Sequence, residues 1–179
     1  MNLKIIEVPN PILRQISQPV DVVDDETRAF LSDMLETMYQ ANGAGLAAPQ
    51  VSVLKRMVVI DAARKGEKPC PYKMVNPKIV WHSDDLQECQ EGCLSIPNQY
   101  APVQRFLAVK VEYLDENGKP CVLEAEGFLA VAVQHELDHL DGIVFIDHLS
   151  KLRQKMMLKK QEKRQKRLLL NEQEEGICD

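Results

Sequence analysis

The stretch His135-Glu136-Leu137-Asp138-His139 decides the fold, because it lies in a segment that favours an α-helix. The two histidines are four residues apart, so a helix places them on one face, about 6 Å apart, with Glu136 between them. Two such imidazoles can hold a metal ion, with a carboxylate beside its water. Gly142 follows where a left-handed glycine ends a helix. The pattern predicts a metal-binding helix; the alternative is two core histidines with a capping acid.

The composition is that of a soluble globular protein. The chain has 179 residues, of which 45% are hydrophobic and 27% charged, which indicates one domain with a sizeable core. No apolar run approaches the roughly 20 residues that cross a bilayer. We expect no signal peptide, because the first residues lack an apolar region and a cleavage site. The cysteines are scattered and odd in number, which favours a reduced, cytoplasmic setting; they are residues 70, 89, 93, 121 and 178.

Charge is unevenly distributed along the chain. Residues 1–150 carry 13 Lys and Arg against 22 Asp and Glu, a net charge of −9. Residues 151–179 carry nine against five, a net charge of +4. An acidic body with a basic tail suggests that the tail has a partner of its own.

The order of predicted elements indicates an α+β fold. It has mainly antiparallel short strands packed around the central HExxH helix, with a C-terminal helix. Residues 5–20 contain three prolines and are predicted to be extended chain and turns. We predict helices over residues 25–42 and from 150 to about 170, strands over 57–61, 74–80 and 143–146, and a hairpin of 107–114 with 120–126. No internal domain boundary is visible.

The metal site needs a third protein ligand, because sites with an open position usually hold their metal through three. One group of HExxH peptidases continues as HExxHxxGxxH, but this chain has Phe145 at the third histidine position. Another group uses a downstream glutamate, and here that position falls on Glu162 in a basic surface segment. Neither pattern of peptidase is therefore favoured.

Cysteines and the remaining histidines, His82 and His148, are the other candidates. Cys93 stands out because it follows Gly92 at the predicted edge of a strand. Cys89, four residues earlier, is not excluded by its chemistry alone, and an ordinary buried cysteine is the alternative for Cys93. The remaining cysteines are better explained by other roles: Cys70 as a loop thiol, Cys121 as a strand packing residue and Cys178 as a tail residue.

Three motifs together resemble those of the peptide deformylases, in the same order and at similar spacing. They are Gly43-Ala-Gly-Leu-Ala-Ala-Pro-Gln50, Glu91-Gly-Cys-Leu-Ser95 and Gln134-His-Glu-Leu-Asp-His-Leu-Asp-Gly142. The resemblance extends to about residue 150 and implies an enzyme that removes the formyl group from the N-terminal methionine of new proteins. It implies a catalytic domain over residues 1–149, with a basic C-terminal helix or tail of the same domain over 150–179.

The resemblance also implies the metal and the chemistry. The ligands become Cys93, His135 and His139, and the cofactor is expected to be Fe²⁺, with zinc, nickel or cobalt able to substitute. The metal would lower the pKa of its water, and Glu136 would act as general base and then acid as hydroxide attacks the formyl carbon. The formyl oxygen would be stabilised by the Gln50 amide and the Leu94 backbone N–H, as an oxyanion hole.

The substrate peptide is expected to bind as an added strand. The resemblance implies backbone contacts at Ala44, Gly45 and Gly92, with Gly45 letting the substrate approach closely. A methionine pocket is expected on one helix face, with Cys89 at its rim; its members are Phe128, Val131, Ala132 and His135. Glu91 and Arg105 are expected to pair behind the metal.

Two positions depart from the family pattern. Ala44 replaces a larger aliphatic residue, and Tyr100 stands where an arginine often contacts the substrate. The tail resembles an extension that binds the ribosome, where basic residues would face RNA phosphates. The alternative is a solvated helix that packs one apolar stripe on the body; the stripe consists of Leu152, Met156, Met157 and Leu168. No DNA or membrane partner is expected. The competing functions are an HExxH peptidase and a non-catalytic ribosome-associated metal protein.

Overall fold

The structure, a computed structural model, describes residues 3–64 and 66–175. Cys178 lies outside these residues. Within them the chain forms three α-helices: α1 (Asp25–Gln40), α2 (Gly127–Leu140) and α3 (Lys151–Glu175). It also forms three 3₁₀ helices, at Pro11–Arg14, Ala48–Val51 and Phe145–His148. The strands are β1 (Gly45–Ala47), β2 (Met57–Ile60), β3 (Tyr72–His82), β4 (Leu86–Cys93), β5 (Ile96–Phe106), β6 (Ala108–Leu114) and β7 (Pro120–Glu126).

The strands form two antiparallel sheets. One has the order β1-β2-β3-β6-β7, and the other is the β4–β5 hairpin. The predicted hairpin of β6 and β7 is confirmed, with Ala108 opposite Glu126 and Leu114 opposite Pro120. Three helices with antiparallel sheets confirm the predicted α+β class.

The larger sheet lies between α1 and α2. On one face, Val58 and Ile60 of β2 pack with Val133 of α2 in a buried core. On the other, Val59 packs with Met34 of α1. Successive side chains of a strand point to opposite faces, so all four residues of β2 are buried.

The histidine-bearing helix is buried on most of its surface. Ten of the 14 residues of α2 are buried, and the helix ends at Leu140, two residues before Gly142, whose φ of +74° is that expected of a glycine after a helix end. The backbone N–H of Ile143 donates to the Asp138 carbonyl at 2.9 Å, which closes the helix end. A side chain at Gly142 would also meet the Arg14 carbonyl oxygen at 2.6 Å. The glycine therefore fits both the turn and the packing.

The predicted strand at residues 143–146 is wrong. The chain there enters the 3₁₀ helix Phe145–His148. Val144, Phe145 and Ile146 are all buried, in a third core with Val8 and Leu13. A short apolar run does not distinguish a strand from other buried segments, and this one is buried without a strand partner among the described residues.

The C-terminal helix packs on the body through only one member of the predicted stripe, Met157. Met157 and its neighbour Leu158 contact the third core. Leu152, Met156 and Leu168 of the predicted stripe are exposed instead. Among the described residues, no helix is both long enough and apolar enough to cross a membrane.

Candidate metal centre

Three potential metal ligands converge at the middle of α2. Cys93, His135 and His139 offer one ligand atom each, and these atoms lie within 4.8 Å of one another. Cys93 Sγ is 3.3 Å from His139 Nε2. The helix brings the two histidines to one face, and the end of β4 brings the thiol to them. The predicted ligand set is therefore assembled in space, and Cys89 is not part of it.

The donor set fits a divalent transition metal. One thiolate and two imidazoles are ligands for zinc or iron and leave a coordination position free for a water or substrate. The buried Glu136 Oε2 has no hydrogen-bond partner among the described residues. A buried carboxylate oxygen normally has a partner, and a water held beside the three ligands would provide one. The arrangement thus has a buried carboxylate, that of Glu136, beside the ligands, as the HExxH pattern predicts.

Glu91 holds His135 from behind the site. Its Oε2 lies 2.8 Å from His135 Nδ1, while Arg105 Nε and Nη2 donate to the two carboxylate oxygens at 2.7 and 3.0 Å. Burial raises the pKa of Glu91, but the hydrogen bonds of His135 and Arg105 outweigh it and lower that pKa to about 2. The ionised carboxylate fixes the imidazole so that Nε2 faces the ligand cluster.

The titrating groups around the cluster are strongly shifted. Burial raises the pKa of Glu136 to about 7, although the charge of His135 opposes it. Burial also lowers the pKa of His139 well below its usual value, which leaves a neutral imidazole suited to a metal. Burial lowers the pKa of His135, but hydrogen bonds to Cys93 and Glu91 raise it well above normal overall. A metal at His135 must therefore displace a proton.

Gln50 faces the same cluster from the opposite wall. It is buried in the 3₁₀ helix Ala48–Val51, and its Oε1 accepts a hydrogen bond from the Ala47 backbone N–H at 2.9 Å. This bond orients the amide nitrogen, which lies 3.1 Å from Ser95 Oγ and 3.4 Å from Cys93 Sγ. Leu94 lies in the turn between β4 and β5, directly after Cys93. An amide donor and a turn backbone thus flank the cluster.

A cleft of about 610 Å³ opens over the cluster. Most predicted substrate-contacting residues line it: Ala44, Gly45, Gly92, Phe128, Val131 and Ala132. The cleft is also lined by residues of the candidate site: Gln50, Glu91, Cys93, Leu94, His135 and Glu136. Cys89 does not line the cleft, so its expected place at the pocket rim stays a prediction. Arg105 lies behind Glu91 and does not line it either.

Two glycines make room for groups of the cleft. A Cβ atom on Gly45 would lie 2.6 Å from Cδ of Glu136, and one on Gly92 would lie 2.5 Å from the Tyr100 ring. The sequence predicted Gly45 as room for substrate, and the structure adds that it makes room for Glu136. The contact between Gly92 and Tyr100 joins distant residues, and no local pattern signals it.

Other residues near the site were missed from sequence. Ser95 is fully buried and bonds Gln50, although it belongs to the Glu91–Ser95 motif, which is a signal that could have identified it. Phe145 stands at the position of the third histidine in the HExxHxxGxxH pattern. Its ring packs against the His135 ring, with 6.0 Å between the ring centroids. Glu162 is exposed on α3. His148 approaches α2 from outside the cluster.

Comparisons with known proteins agree with this geometry. A family model described as polypeptide deformylase matches residues 2–155. A peptide deformylase from Phenylobacterium zucineum is 52% identical over 163 residues, 91% of this chain and 96% of that protein. One from Brucella suis is 53% identical over 156 residues, 87% of this chain and 89% of that protein.

Solved structures give the same result. The crystal structure of peptide deformylase from Ehrlichia chaffeensis has a TM-score of 0.91 and 38% identity, and covers 94% of this chain and 99% of its own. The same enzyme in complex with actinonin has a TM-score of 0.88 and 40% identity, over 91% of this chain and 97% of its own. The resemblance of the three motifs is confirmed. The chain therefore belongs to the polypeptide deformylase family, whose members are hydrolases acting on the formyl amide of an N-terminal methionine.

Proposed function

We propose that this chain removes the formyl group from the N-terminal formyl-methionine of nascent polypeptides and releases formate. The observation that carries the proposal is the position of Glu136 and Gln50, which line one cleft together with Cys93 and His135; these two residues form the ligand cluster with His139. A metal ligand set, a buried carboxylate and an amide donor are the groups that amide hydrolysis needs.

The proposed ligands are Cys93, His135 and His139, and the proposed metal is Fe²⁺, with zinc, nickel or cobalt able to replace it. When bound, the metal supplies Lewis acidity, which lowers the pKa of a water and polarises the formyl carbonyl. The neutral imidazole of His139 and the orientation of His135 by Glu91 support this ligand set. Metal analysis of protein purified without oxygen tests the choice of iron.

Glu136 moves the proton in the proposed reaction. Its carboxylate is buried beside the cluster, and Oε2 has no partner among the described residues. It accepts the proton of the attacking water and then returns that proton to the leaving amine, so that one group serves both steps. Because Gly45 has no side chain, the Glu136 carboxylate has room to lie at the cleft.

Gln50 and Leu94 stabilise the charge that develops on the formyl oxygen. The bond from Ala47 fixes the Gln50 amide so that its N–H₂ faces the cluster. The Leu94 backbone N–H follows Cys93 in the turn and is the second proposed donor. Donors that are already oriented lower the barrier without having to rearrange during the reaction.

The substrate peptide lies along the cleft in extended form. We place its backbone against Ala44, Gly45 and Gly92, and its methionine side chain against Phe128, Val131 and Ala132, which all line the cleft. Cys89 is proposed at the rim of this pocket. Because a relative is solved in complex with actinonin, we expect actinonin to bind in this cleft and to compete with the peptide.

One assay tests the function. Protein purified without oxygen is incubated with formyl-Met-Ala-Ser, and both formate and peptide fragments are measured. Formate release with an intact Met–Ala bond supports the proposal, while cleavage of that bond would identify a peptidase. Inactive protein that contains iron would instead indicate a non-catalytic metal protein.

The basic α3 is proposed to bind the ribosome. Exposed side chains of this helix include Lys151, Lys155 and Lys159, beside the exposed Leu152 and Met156. Lysines facing RNA phosphates give an attraction that falls steeply with salt. Co-sedimentation with ribosomes at increasing salt, with and without charge-reversing substitutions on α3, tests this. The same proposal places the chain in the cytoplasm. We also propose a single domain, in which residues 1–149 form the catalytic part and residues 150–179 form its basic C-terminal helix or tail.

A further inference from the structure

A series of polar contacts runs from the metal cluster to an adjoining face of α2, where Asp138 lies one turn after His135. It starts at His135, passes through the Glu91 carboxylate and the Arg105 guanidinium, and continues to Asp138. Arg105 Nη1 donates to Asp138 Oδ2 at 2.7 Å. The last member is His148, whose Nε2 lies 2.7 Å from the same Asp138 oxygen. Three side chains thus connect a metal ligand to a half-exposed histidine.

His148 reaches this series of contacts from a separately anchored segment. It ends the 3₁₀ helix Phe145–His148, in which Asp147 Oδ2 accepts from the Val144 backbone N–H at 2.9 Å and pairs with Arg14. Gln154 of α3 donates to the Leu149 carbonyl just beyond it, at 2.9 Å. The backbone that carries His148 is therefore held independently of the ring's contact with Asp138.

The charges along this series of contacts explain why Asp138 needs a second hydrogen-bond donor besides Arg105. Arg105 is almost completely buried between two carboxylates, those of Glu91 and Asp138. One guanidinium serves both, and the two hydrogen bonds to Glu91 keep that carboxylate directed at His135. When His148 donates to Asp138, that carboxylate depends less on Arg105. Without this donor, Arg105 would be drawn toward Asp138.

Space for such a shift exists. A second cleft, of about 520 Å³, lies behind the metal cluster and is lined by Arg105, Asp138 and His148, with Gln134 and Leu137 of α2 beside them. A guanidinium that moves toward this cleft exchanges its contact with Glu91 for contact with water. The orientation of Glu91, and with it that of His135, would then be less well defined.

We propose that His148 is a positioning residue for the metal centre, acting on His135 through Asp138, Arg105 and Glu91. This inference rests on the proposed function, because it takes His135 as a metal ligand. His148 touches neither the cluster nor the substrate cleft, so its effect is on the retention of the metal and on turnover by the loaded site.

The test compares three variants of the metal-loaded enzyme. His148→Ala removes the donor, His148→Gln keeps an N–H near the position of Nε2, and Arg14→Ala loosens the anchor of the 3₁₀ helix but keeps the ring. The rate of metal loss to an excess of chelator is measured first, and kcat and KM for formyl-Met-Ala-Ser are then measured per bound metal. Partners of a metal ligand change metal affinity by about 10- to 100-fold when removed.

His148 lies beyond Arg105, whose Nη1 is 3.3 Å from His148 Nε2, and is therefore further from the metal than such a partner, so a smaller effect is expected. His148→Ala should lose metal about 3- to 10-fold faster than the native enzyme and show a lower kcat with an unchanged KM. His148→Gln should restore both, and Arg14→Ala should change neither. Equal metal loss from all the proteins would overturn the inference, as would an Arg14→Ala variant that behaves like His148→Ala. Native enzyme that binds metal but releases no formate would contradict the proposed function alone.

Discussion

Gly45 and Glu136 are in such close contact that a Cβ atom on the glycine would lie 2.6 Å from the carboxylate carbon of the glutamate. Glu136 is buried on α2, whose backbone does not move aside easily. A side chain at Gly45 would therefore push the carboxylate away from its place beside the ligand cluster.

We expect Gly45→Ala to reduce kcat by about 100-fold, because a displacement of about 1 Å in a reacting group has an effect of this size. The metal content should stay near that of the native enzyme, since the three atoms nearest to a Cβ on Gly45 all belong to Glu136. Steady-state kinetics with metal analysis measure both quantities. Gly43→Ala is the control: a Cβ there would meet Leu94 Cδ1 at 2.7 Å rather than Glu136. If both variants lost activity equally, displacement of Glu136 would not be the cause.

Glu136→Gln tests the proton transfer directly. The amide has the shape of the carboxylate but cannot accept the proton of the attacking water. General base catalysis contributes about 10²- to 10⁴-fold, so kcat should fall by this factor while the metal stays bound. Retained turnover at full metal content would show that another group is the base.

The helices, the β6–β7 hairpin and the spacing within α2 were predictable, because each depends on local periodicity. The extents of strands β4 and β5 were not predicted, and only a strand edge at Cys93 was, since β4 has the sequence Leu86-Gln-Glu-Cys-Gln-Glu-Gly-Cys93 and lacks an apolar face. The same strand nevertheless carries Glu91 and Cys93 to the cluster. Only the second half of β4, residues 90–93, lines the cleft, and in this half polar and site residues replace the hydrophobic pattern that indicates a strand.

The site was predictable to the extent that motifs encode it. Cys93, Gln50 and the two histidines each lie in a short motif, and the structure brings them together. Contacts between residues distant in sequence had no such signal. Asp138 and His148 meet across ten residues because a 3₁₀ helix replaces the predicted strand, and Tyr100 covers Gly92.

Phe128 offers a test of the methionine pocket. It is 43% exposed at the cleft, so its replacement does not empty a core. Phe128→Ala should raise KM for a formyl-Met peptide by about 10-fold, because apolar contacts of this size contribute about 1–3 kcal/mol. A formyl-Ala peptide should be affected less, since its shorter side chain gains less from the wall. The control is Val122→Ala on β7, where the side chain is exposed and does not line the cleft. Equal effects on both peptides would exclude Phe128 from the pocket.

Removing one partner of the buried Glu91–Arg105 pair should destabilise the protein far more than removing one partner of an exposed pair. Glu91→Ala leaves the Arg105 guanidinium buried, with Asp138 as its remaining carboxylate partner. Breaking a buried pair in this way destabilises a protein by about 3–5 kcal/mol. Lys110→Ala breaks the exposed pair with Glu124, 2.9 Å apart, and should change stability by less than about 1 kcal/mol. Urea unfolding of both variants without metal separates this effect from metal binding; similar losses would contradict the assignment.

Tyr39 provides a prediction about alkaline stability. Its hydroxyl donates to Asp61 Oδ2 at 2.5 Å, and the Asp61 backbone N–H donates to the Ala44 carbonyl at the cleft wall. Burial and the hydrogen bond to Asp61 raise the pKa of Tyr39 from 10.0 to about 12. The pKa is higher in the folded state, so the contribution of the neutral hydroxyl is complete below pH 10 and is lost as the pH rises toward 12. Tyr39→Phe should therefore be less stable than the native chain by about 1 kcal/mol at pH 8, the usual contribution of one hydrogen bond. This difference should shrink steadily between pH 10 and 12. Urea unfolding at a series of pH values measures it, and a difference that stays constant to pH 12 would show that the Tyr39 hydroxyl does not titrate with the raised pKa.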